Sequence, residues 1–209
     1  MDATDRTMFL DPQHCIGCRA CVAGCRECES HRGKSMIFID FLERDYSFAT
    51  SPTLCMHCQD PPAPCAQVCP TQAILIRPDG IVQEALKERC IACENCVHAC
   101  PFGVPKLAQP ELLQYKCNLC FDRVEAGKKP MCATVCPSGA IFFGSYQEFT
   151  ARQRGRPVNV HRFGRQSVRT RVYVMAPPGV EELPVEQLPD YSEALTAEPQ
   201  ATDSAERPR

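Results

Sequence analysis

Apolar positions along this chain form short stretches separated by turn residues. The stretches Ala73–Val82 (AILIRPDGIV) and Ala140–Tyr146 (AIFFGSY) are rich in β-branched and aromatic residues, a pattern that predicts short strands. A third short strand is predicted at Val172–Val174. No apolar run approaches the roughly 18 to 20 residues that cross a bilayer, so we expect no direct membrane span. Residues 177–209 are rich in proline and acidic residues, which predicts a disordered tail.

The composition argues against a large aliphatic core. Of 209 residues, 17 are cysteine and none is tryptophan. Chains with so few large apolar side chains are usually stabilised by cross-links or by metal. The formal net charge of −2 shows no excess of either sign. It gives no reason to expect nucleic acid as a partner.

One segment is strongly basic. Residues 152–171 contain seven arginines and no acidic residue. Binding of single-stranded nucleic acid would require aromatic side chains between the basic ones, and only Phe163 is available there. We therefore expect an arginine-rich arm that packs on an acidic partner or on the body of the protein.

Sixteen cysteines form four quartets. The first and third quartets share the spacing C-x2-C-x2-C-x3-C, and the second and fourth have a longer gap between their two pairs. The segments that follow the second and fourth quartets also recur, as CPTQAI and CPSGAI. The sequence therefore contains an internal repeat. In chain order the quartets are Cys15, Cys18, Cys21, Cys25; Cys55, Cys58, Cys65, Cys69; Cys90, Cys93, Cys96, Cys100; and Cys117, Cys120, Cys132, Cys136.

The spacing helps to choose between iron–sulfur clusters, zinc and disulfides. Three thiolates within seven residues, as in CIGCRAC and CIACENC, wrap a loop around an object larger than one ion. Zinc more often binds paired C-x2-C knuckles, which fits the second and fourth quartets alone but not the first and third. A disulfide framework is typical of exported proteins, whereas residues 1–9 lack the pattern of a secretory signal and the cysteine count is odd. The spacing favours iron–sulfur clusters.

Two stretches carry a specific resemblance. Residues 116–137 (KCNLCFDRVEAGKKPMCATVCP) and 55–73 (CMHCQDPPAPCAQVCPTQA) resemble the four-cluster iron–sulfur subunits that accompany molybdenum and tungsten enzymes. That family includes subunits of dimethyl sulfoxide reductase, formate dehydrogenase, polysulfide reductase and formate-linked hydrogenase systems. The resemblance covers residues 5–150. Two departures are a longer loop at Gln59–Pro64 and Arg26 in place of proline after Cys25.

The resemblance implies an irregular α+β fold. It would contain two ferredoxin-like dicluster modules related by the internal repeat, followed by a C-terminal extension. Leu75, Ile76, Ile81 and Val82 are expected to cover one module, and Ile141, Phe142 and Phe143 the other. The expected boundaries are residues 1–50 with 105–150 for the outer module, 51–104 for the inserted module, 151–176 for the arginine-rich arm and short strand, and 177–209 for the tail.

The resemblance also implies a ligand set for four 4Fe-4S clusters. In two-cluster ferredoxins the last cysteine of one quartet binds the other cluster. The implied ligands are Cys15, Cys18, Cys21 and Cys136 for cluster 1; Cys117, Cys120, Cys132 and Cys25 for cluster 2; Cys55, Cys58, Cys65 and Cys100 for cluster 3; and Cys90, Cys93, Cys96 and Cys69 for cluster 4.

The implied function is non-catalytic electron transfer. Such a subunit relays single electrons between a catalytic oxidoreductase subunit, holding molybdopterin or tungstopterin, and a second partner such as a quinone-linked membrane subunit or a flavin subunit. Two alternatives stay open: a subunit of a nickel–iron or formate-linked hydrogenase, and a redox-sensing interaction protein. The lack of a signal favours the cytoplasm, with membrane association through a partner, or export on a partner's signal, as open alternatives.

Several residues beside the quartets have competing interpretations. His57 and His98 are expected to be packed or solvent-facing rather than ligands. Lys116 and Arg123 flank the fourth quartet, where they would either form a solvated basic face or offset cluster charge. Cys28, the seventeenth cysteine, is expected to be a buried thiol.

Overall fold

The chain folds into many short helices and strands, in agreement with the predicted mixed α+β class. The computed structural model describes residues 6–31, 33–44, 47–108, 113–151, 156–176 and 179–185. Its strands are Thr7–Leu10 (β1), Phe38–Arg44 (β2), Ser47–Thr53 (β3), Cys58–Asp60 (β4), Ile74–Ile76 (β5), Val82–Ala85 (β6), Lys106–Ala108 (β7), Leu113–Tyr115 (β8), Ile141–Gly144 (β9), Arg156–Phe163 (β10), Gln166–Ala176 (β11) and Leu183–Pro184 (β12). Its helices are Ala20–Arg26 (α1), Pro64–Gln67 (α2), Asn95–Ala99 (α3), Phe121–Glu125 (α4), Met131–Val135 (α5) and Tyr146–Thr150 (α6).

The largest sheet joins the two ends of the described chain. Its strand order is β12-β10-β11-β1-β9, and β4 also pairs with β11. Strand β1 is parallel to β11 and antiparallel to β9, so Phe9 lies opposite Tyr173 on one side and Phe142 on the other. Every residue of β1 is buried. This sheet therefore forms only when segments distant in sequence come together.

The arginine-rich segment lies mainly in the hairpin of β10 and β11. In β11, Val168, Thr170 and Val172 are buried, whereas Arg169 between them is exposed. Because successive side chains of a strand point to opposite faces, this alternation places arginine away from the core. The strand expected at 172–174 is part of the longer β11.

An aromatic cluster packs α6 against the large sheet. The ring of Phe9 lies 4.4 Å from that of Phe149 and 5.2 Å from that of Tyr173, centroid to centroid. Helix α6 begins with a capping box, in which Ser145 and Glu148 each accept a backbone N–H of the other. The helix start is thus set locally, and its orientation is set by the aromatic rings.

The strands expected from Ala73–Val82 form the hairpin of β5 and β6. Ile81 and Val82 are buried as expected, but Leu75 and Ile76 are 44% and 45% exposed. The expectation that all four cover the body was wrong for these two. Leu75 points away from the face that Ile74 buries, and a register shift in the hairpin between Ile74 and Ile76 keeps Ile76 from continuing that face.

The C-terminal tail is described only in part. Leu183–Pro184 pairs in parallel with β10, and residues 186–209 lie outside the described residues. Among the helices of the described residues, none combines the length and the apolar character needed to cross a membrane.

Candidate metal centres

The structure gathers the sixteen quartet cysteines into four groups, which we call sites 1 to 4. Sites 1, 3 and 4 each line a cavity, and the thiols of site 2 lie within electrostatic reach of one another. Each group takes three cysteines from one quartet and the fourth from another. The groups are Cys15, Cys18, Cys21 and Cys136 (site 1); Cys25, Cys117, Cys120 and Cys132 (site 2); Cys55, Cys58, Cys65 and Cys100 (site 3); and Cys69, Cys90, Cys93 and Cys96 (site 4).

These are the same sets that the resemblance implied as ligands. The structure shows that the cysteines of each set lie together, and their binding of clusters stays a prediction. All seventeen cysteines lie in described residues, and all are free thiols. The structure thus contains no disulfide among them.

The donor chemistry of the sites fits an iron–sulfur cluster. At each of sites 1, 3 and 4 four thiols converge on one cavity. Four thiolates are the ligand set of a 4Fe-4S cluster. The residues therefore fit an iron–sulfur cubane.

The first C-x2-C loop of each quartet has the same backbone feature. The residue just before the second cysteine has a positive φ in each: 66° at Gly17, 49° at His57, 56° at Ala92 and 57° at Leu119. This left-handed conformation is unfavourable for the three residues that are not glycine. Left-handed turns of this kind direct successive backbone N–H groups into a concavity that favours anions. The loops are thus shaped to wrap a negatively charged group.

Backbone N–H groups also donate directly to cysteine sulfurs. The donor-to-sulfur distances are 3.1 Å from Met36 to Cys25, 3.3 Å from Ala73 to Cys69 and 3.4 Å from Leu119 to Cys117. Burial opposes ionisation of Cys69, but the N–H bonds, chiefly from Ala73, lower the pKa of this thiol below its ordinary value. Such bonds stabilise thiolates, the form that binds metal.

Deep burial has the opposite effect in the middle of the protein. Burial raises the pKa of Cys117 and of Cys132 well above the ordinary value, and neighbouring thiols raise both further. Such thiols become thiolates only when a cation replaces their protons. Site 2 therefore suits a metal core, whose positive charge would replace the protons of these thiols.

The sites follow one another in a row. Cys132 of site 2 is close enough to Cys21 of site 1 for their charges to interact, and Cys117 of site 2 interacts in the same way with Cys55 of site 3. Cys65 of site 3 has the same relation to Cys96 of site 4. The order is therefore site 1, site 2, site 3, site 4.

Both ends of this row reach the surface. Cys18 of site 1 and Cys93 of site 4 are the only exposed cysteines of the seventeen. The isoleucine two positions before each of them, Ile16 and Ile91, is 67% and 64% exposed. The outer sites are accessible to partners, whereas all four cysteines of site 2 are buried.

His31 is a candidate functional residue that the sequence analysis missed. Its Nδ1 lies 2.8 Å from the carbonyl oxygen of Cys25 and 3.2 Å from the sulfur of the same residue. Its Nε2 lies 3.3 Å from Oδ1 of Asn118 and 3.9 Å from Sγ of Cys120. Burial lowers the pKa of His31, but the bonds with Cys120 and Cys25 outweigh burial and raise it to about 12.

Cys28 is buried, as expected, and it lies in a small cluster of ligand atoms. Its sulfur, the His31 ring and the Cys120 sulfur lie within 4.8 Å of one another. The spacing C-x2-H from Cys28 to His31 was the sequence signal that could have drawn attention to this histidine.

The remaining residues beside the quartets separate into buried and exposed ones. His57 is fully buried and accepts the N–H of Val82 at Nδ1 (3.0 Å), whereas His98 is exposed. His57 is thus packed and His98 is solvent-facing, as expected. Lys116 is 1% exposed, so it does not belong to a solvated basic face. Arg123 is half-buried and donates from Nε to the carbonyl of Lys129 (3.1 Å).

Comparison with known proteins places this arrangement among iron–sulfur proteins. Residues 46–146 match the family described as 4Fe-4S dicluster domain. The thiosulfate reductase electron transfer subunit PhsB of Salmonella typhi is 38% identical over 149 residues, which cover 68% of this chain and 76% of that protein. One subunit of the sulfite dehydrogenase of Allochromatium vinosum is 32% identical, with coverage of 69% and 70%.

A third relative is longer than this chain. The iron-sulfur subunit of the nitrate-inducible formate dehydrogenase of Escherichia coli (strain K12) is 33% identical over 161 residues, which cover 67% of this chain. The matched region spans 54% of that subunit, about half its length. With its four complete cysteine sites and these relatives, the chain belongs to the family of iron–sulfur electron-transfer subunits that contain the 4Fe-4S dicluster domain.

Proposed function

We propose that this chain relays single electrons through four 4Fe-4S clusters held at sites 1 to 4. The observation that carries the proposal is the row of four complete cysteine sites, accessible at both ends and buried in the middle. Bound clusters of this type supply one-electron chemistry at potentials set by charge, hydrogen bonds and solvent exposure. The proposed ligands are the sixteen cysteines of the four sites.

The proposal includes two ferredoxin-like modules. Sites 1 and 2 draw on the outer quartets, and sites 3 and 4 draw on the segment inserted between them, residues 51–104. Residues 1–50 and 105–150 would form the outer module. The left-handed residue that recurs in the first C-x2-C loop of each quartet supports a common origin of the modules.

The residues of the chain would hold, shield and tune the clusters. Thiolates bind the iron, and the N–H groups of Met36, Ala73 and Leu119 stabilise negative charge on the sulfurs. Burial of Cys117 and Cys132 keeps water away from the middle of the row. The exposed ends at Cys18 and Cys93 allow contact with an electron donor and an acceptor.

The proposed partners are two redox proteins, one at each end. One is a catalytic subunit with molybdopterin or tungstopterin, and the other is a quinone-linked membrane subunit or a flavin subunit. The relatives, which include a formate dehydrogenase subunit and a thiosulfate reductase subunit, support a catalytic oxidoreductase partner. In this proposal, any membrane attachment is through the partner. A hydrogenase partner would be recognised by nickel in the co-purified complex.

The test is metal analysis of the full chain, produced without oxygen. We expect about sixteen iron atoms for each chain, four per cubane, and no zinc. A variant that removes one ligand, Cys58→Ser, should change the electron paramagnetic resonance of one cluster. The control Leu75→Ser should leave the iron content and the spectrum unchanged, because Leu75 is exposed and lines none of the cavities of sites 1, 3 and 4.

Two results would contradict the proposal. Zinc in place of iron, or about eight iron atoms, would show that at least two of the sites do not hold cubanes. A fully loaded chain that gives no paramagnetic signal on reduction would exclude the relay. A chain that loses all its clusters in a few oxidation cycles and then changes its binding partners would instead indicate a redox sensor.

A further inference from the structure

A buried lysine lies at the boundary between sites 2 and 3. Lys116 follows β8, immediately precedes Cys117 of site 2, and lines the cavity of site 3. Its side chain is almost completely enclosed, with 1% of the residue exposed. A lysine ammonium in such a place is costly unless an opposite charge or several acceptors compensate it.

Within the described residues, the hydrogen-bond acceptors of Lys116 are backbone carbonyls. Nζ of Lys116 donates to the carbonyl oxygen of Val82 (2.5 Å) and more weakly to that of Cys117 (3.4 Å). Among the ion pairs of the described residues, none includes Lys116. The charge of this lysine therefore has no carboxylate partner in the part of the chain that the structure describes.

The surrounding groups do not supply a negative charge either. His57 is fully buried, accepts the Val82 N–H and has its pKa lowered by burial, with Lys116 and Arg171 adding to that effect. Val82 thus holds His57 through its N–H and Lys116 through its carbonyl. Thiols are the potential anions around Lys116, because the four cysteines of site 3 line the same cavity. Burial raises the pKa of Cys65 to about 12, and the charge of Lys116 is the largest influence that opposes this rise.

We propose that Lys116 is the counter-cation of the cluster at site 3, and that its charge raises the reduction potential of this cluster. A 4Fe-4S cluster with four thiolate ligands is anionic, and adding an electron makes it more so. A buried cation is screened little, because water and salt do not reach it. Reduction of site 3, which has site 2 on one side and site 4 on the other, would otherwise be opposed by the charges of both neighbours. The inference rests on the proposed function, since it requires a cluster at site 3.

Three substitutions separate the charge of Lys116 from its hydrogen bond and its volume. Lys116→Met removes the charge and the donor, Lys116→Gln removes the charge but keeps an N–H donor, and Lys116→Arg keeps both. The matched control is Lys106→Met. Lys106 also donates to a backbone carbonyl, that of Gly103 (2.9 Å), and Gly103 lies close to Cys100 of site 3. Lys106 is exposed, so solvent screens its charge.

The experiment is a redox titration of the anaerobic full chain, followed by electron paramagnetic resonance. The site 3 signal is the one altered in Cys58→Ser. We expect Lys116→Met and Lys116→Gln to lower the ratio of reduced to oxidised site 3 at least tenfold at a fixed potential, a shift of about 59 mV for one electron. Lys116→Arg and Lys106→Met should stay within a factor of about three of the unsubstituted chain, a shift of about 30 mV or less by the same one-electron constant.

Iron content measured on the same samples distinguishes failure of this inference from failure of the proposed function. An unsubstituted chain without iron at site 3 would refute the proposed function. A loaded Lys116→Gln variant with an unchanged site 3 potential would overturn only the counter-cation role. Lys116→Met and Lys116→Gln could both lose the site 3 iron. In that case, retention of the iron by Lys116→Arg supports the role of charge, whereas loss of the iron in all three variants overturns the counter-cation role.

Discussion

The contact between helices α1 and α5 offers a sharp test of how the fold positions sites 1 and 2. Helix α1 carries Cys21 and Cys25, and α5 carries Cys132. The helices meet at Gly24, where an added Cβ would lie 2.7 Å from Cγ2 and 3.3 Å from Cγ1 of Val135. Carbon atoms in good contact are about 3.5 to 4.0 Å apart. Gly24→Ala should therefore push the two helices apart.

The expected cost follows from two opposing effects. Inserting a methyl group into a packed interior typically costs about 1 to 3 kcal/mol, whereas replacing glycine by alanine within a helix gains about 0.5 to 1 kcal/mol. Gly24 has no positive φ, so alanine is not strained at this position. The difference between these ranges is about 0 to 2.5 kcal/mol. Because the 2.7 Å approach is far inside ordinary carbon contact, we expect a net loss of folding free energy of about 1 to 2 kcal/mol. In a protein of about 200 residues this corresponds to a drop of roughly 2 to 8 °C in Tm.

The assay is thermal unfolding of the iron-loaded full chain without oxygen, together with the rate of iron release to a chelator. Gly24→Ala should lower Tm and speed the loss of iron from sites 1 and 2. The matched variant is Val135→Ala, which removes the two methyl groups that Cβ would meet. In the double variant, the loss of folding free energy should be at least about 1 kcal/mol smaller than the sum of the losses in the two single variants. An unchanged or higher Tm for Gly24→Ala, or no recovery in the double variant, would refute the reasoning.

Three further predictions concern other parts of the protein. His31→Leu removes a buried donor to Asn118 and to the Cys25 carbonyl and should lower the free energy of unfolding by about 1 to 3 kcal/mol. A chelator should therefore remove iron faster from this variant, and an unchanged rate of iron loss would contradict the prediction. Ile91→Glu should weaken binding of the redox partner at site 4, measured by co-purification, without changing the iron content. The control Leu75→Glu, also at an exposed apolar position, should reduce co-purification less. Burial lowers the pKa of His161 to about 4 from 6.5, so the unfolded chain binds the proton first as pH falls. The free energy of unfolding should therefore be highest above pH 6.5 and lower by about 2 kcal/mol at pH 5. In urea unfolding, His161→Leu should remove that part of the acid sensitivity.

The chemistry of the sites could be predicted from local sequence. The spacing of three cysteines within seven residues already indicated a ligand loop for a group larger than one ion, because such spacing depends only on a few consecutive residues. The same holds for the strand at Ile141–Gly144, whose apolar run is continuous and is buried throughout. Leu75 and Ile76 show the limit of this reasoning. Their apolar character predicted a strand, but not that a register shift in the hairpin would leave both side chains uncovered.

Residues that act at a distance could not be predicted in the same way. His31 contacts Cys120, which is 89 positions later in the chain, and the C-x2-H spacing from Cys28 says nothing about that contact. Lys116 had two interpretations of equal merit in the sequence, a solvated basic residue and an offset to cluster charge. Lys116 is buried against Val82 of β6, which excludes the interpretation as a solvated basic residue. That contact joins positions 34 residues apart, so the sequence alone does not show it.

By itself, the sequence determined which ligand atoms are present, their local spacing and the short strands around them. The tertiary structure alone decided that the four sites lie in one row, that Cys18 and Cys93 are its accessible ends, and that a buried lysine lies inside it. The physical reason is that ligand spacing is a property of a few consecutive residues, whereas burial and electrostatic proximity depend on segments such as β1 and β11 that meet only in the folded protein.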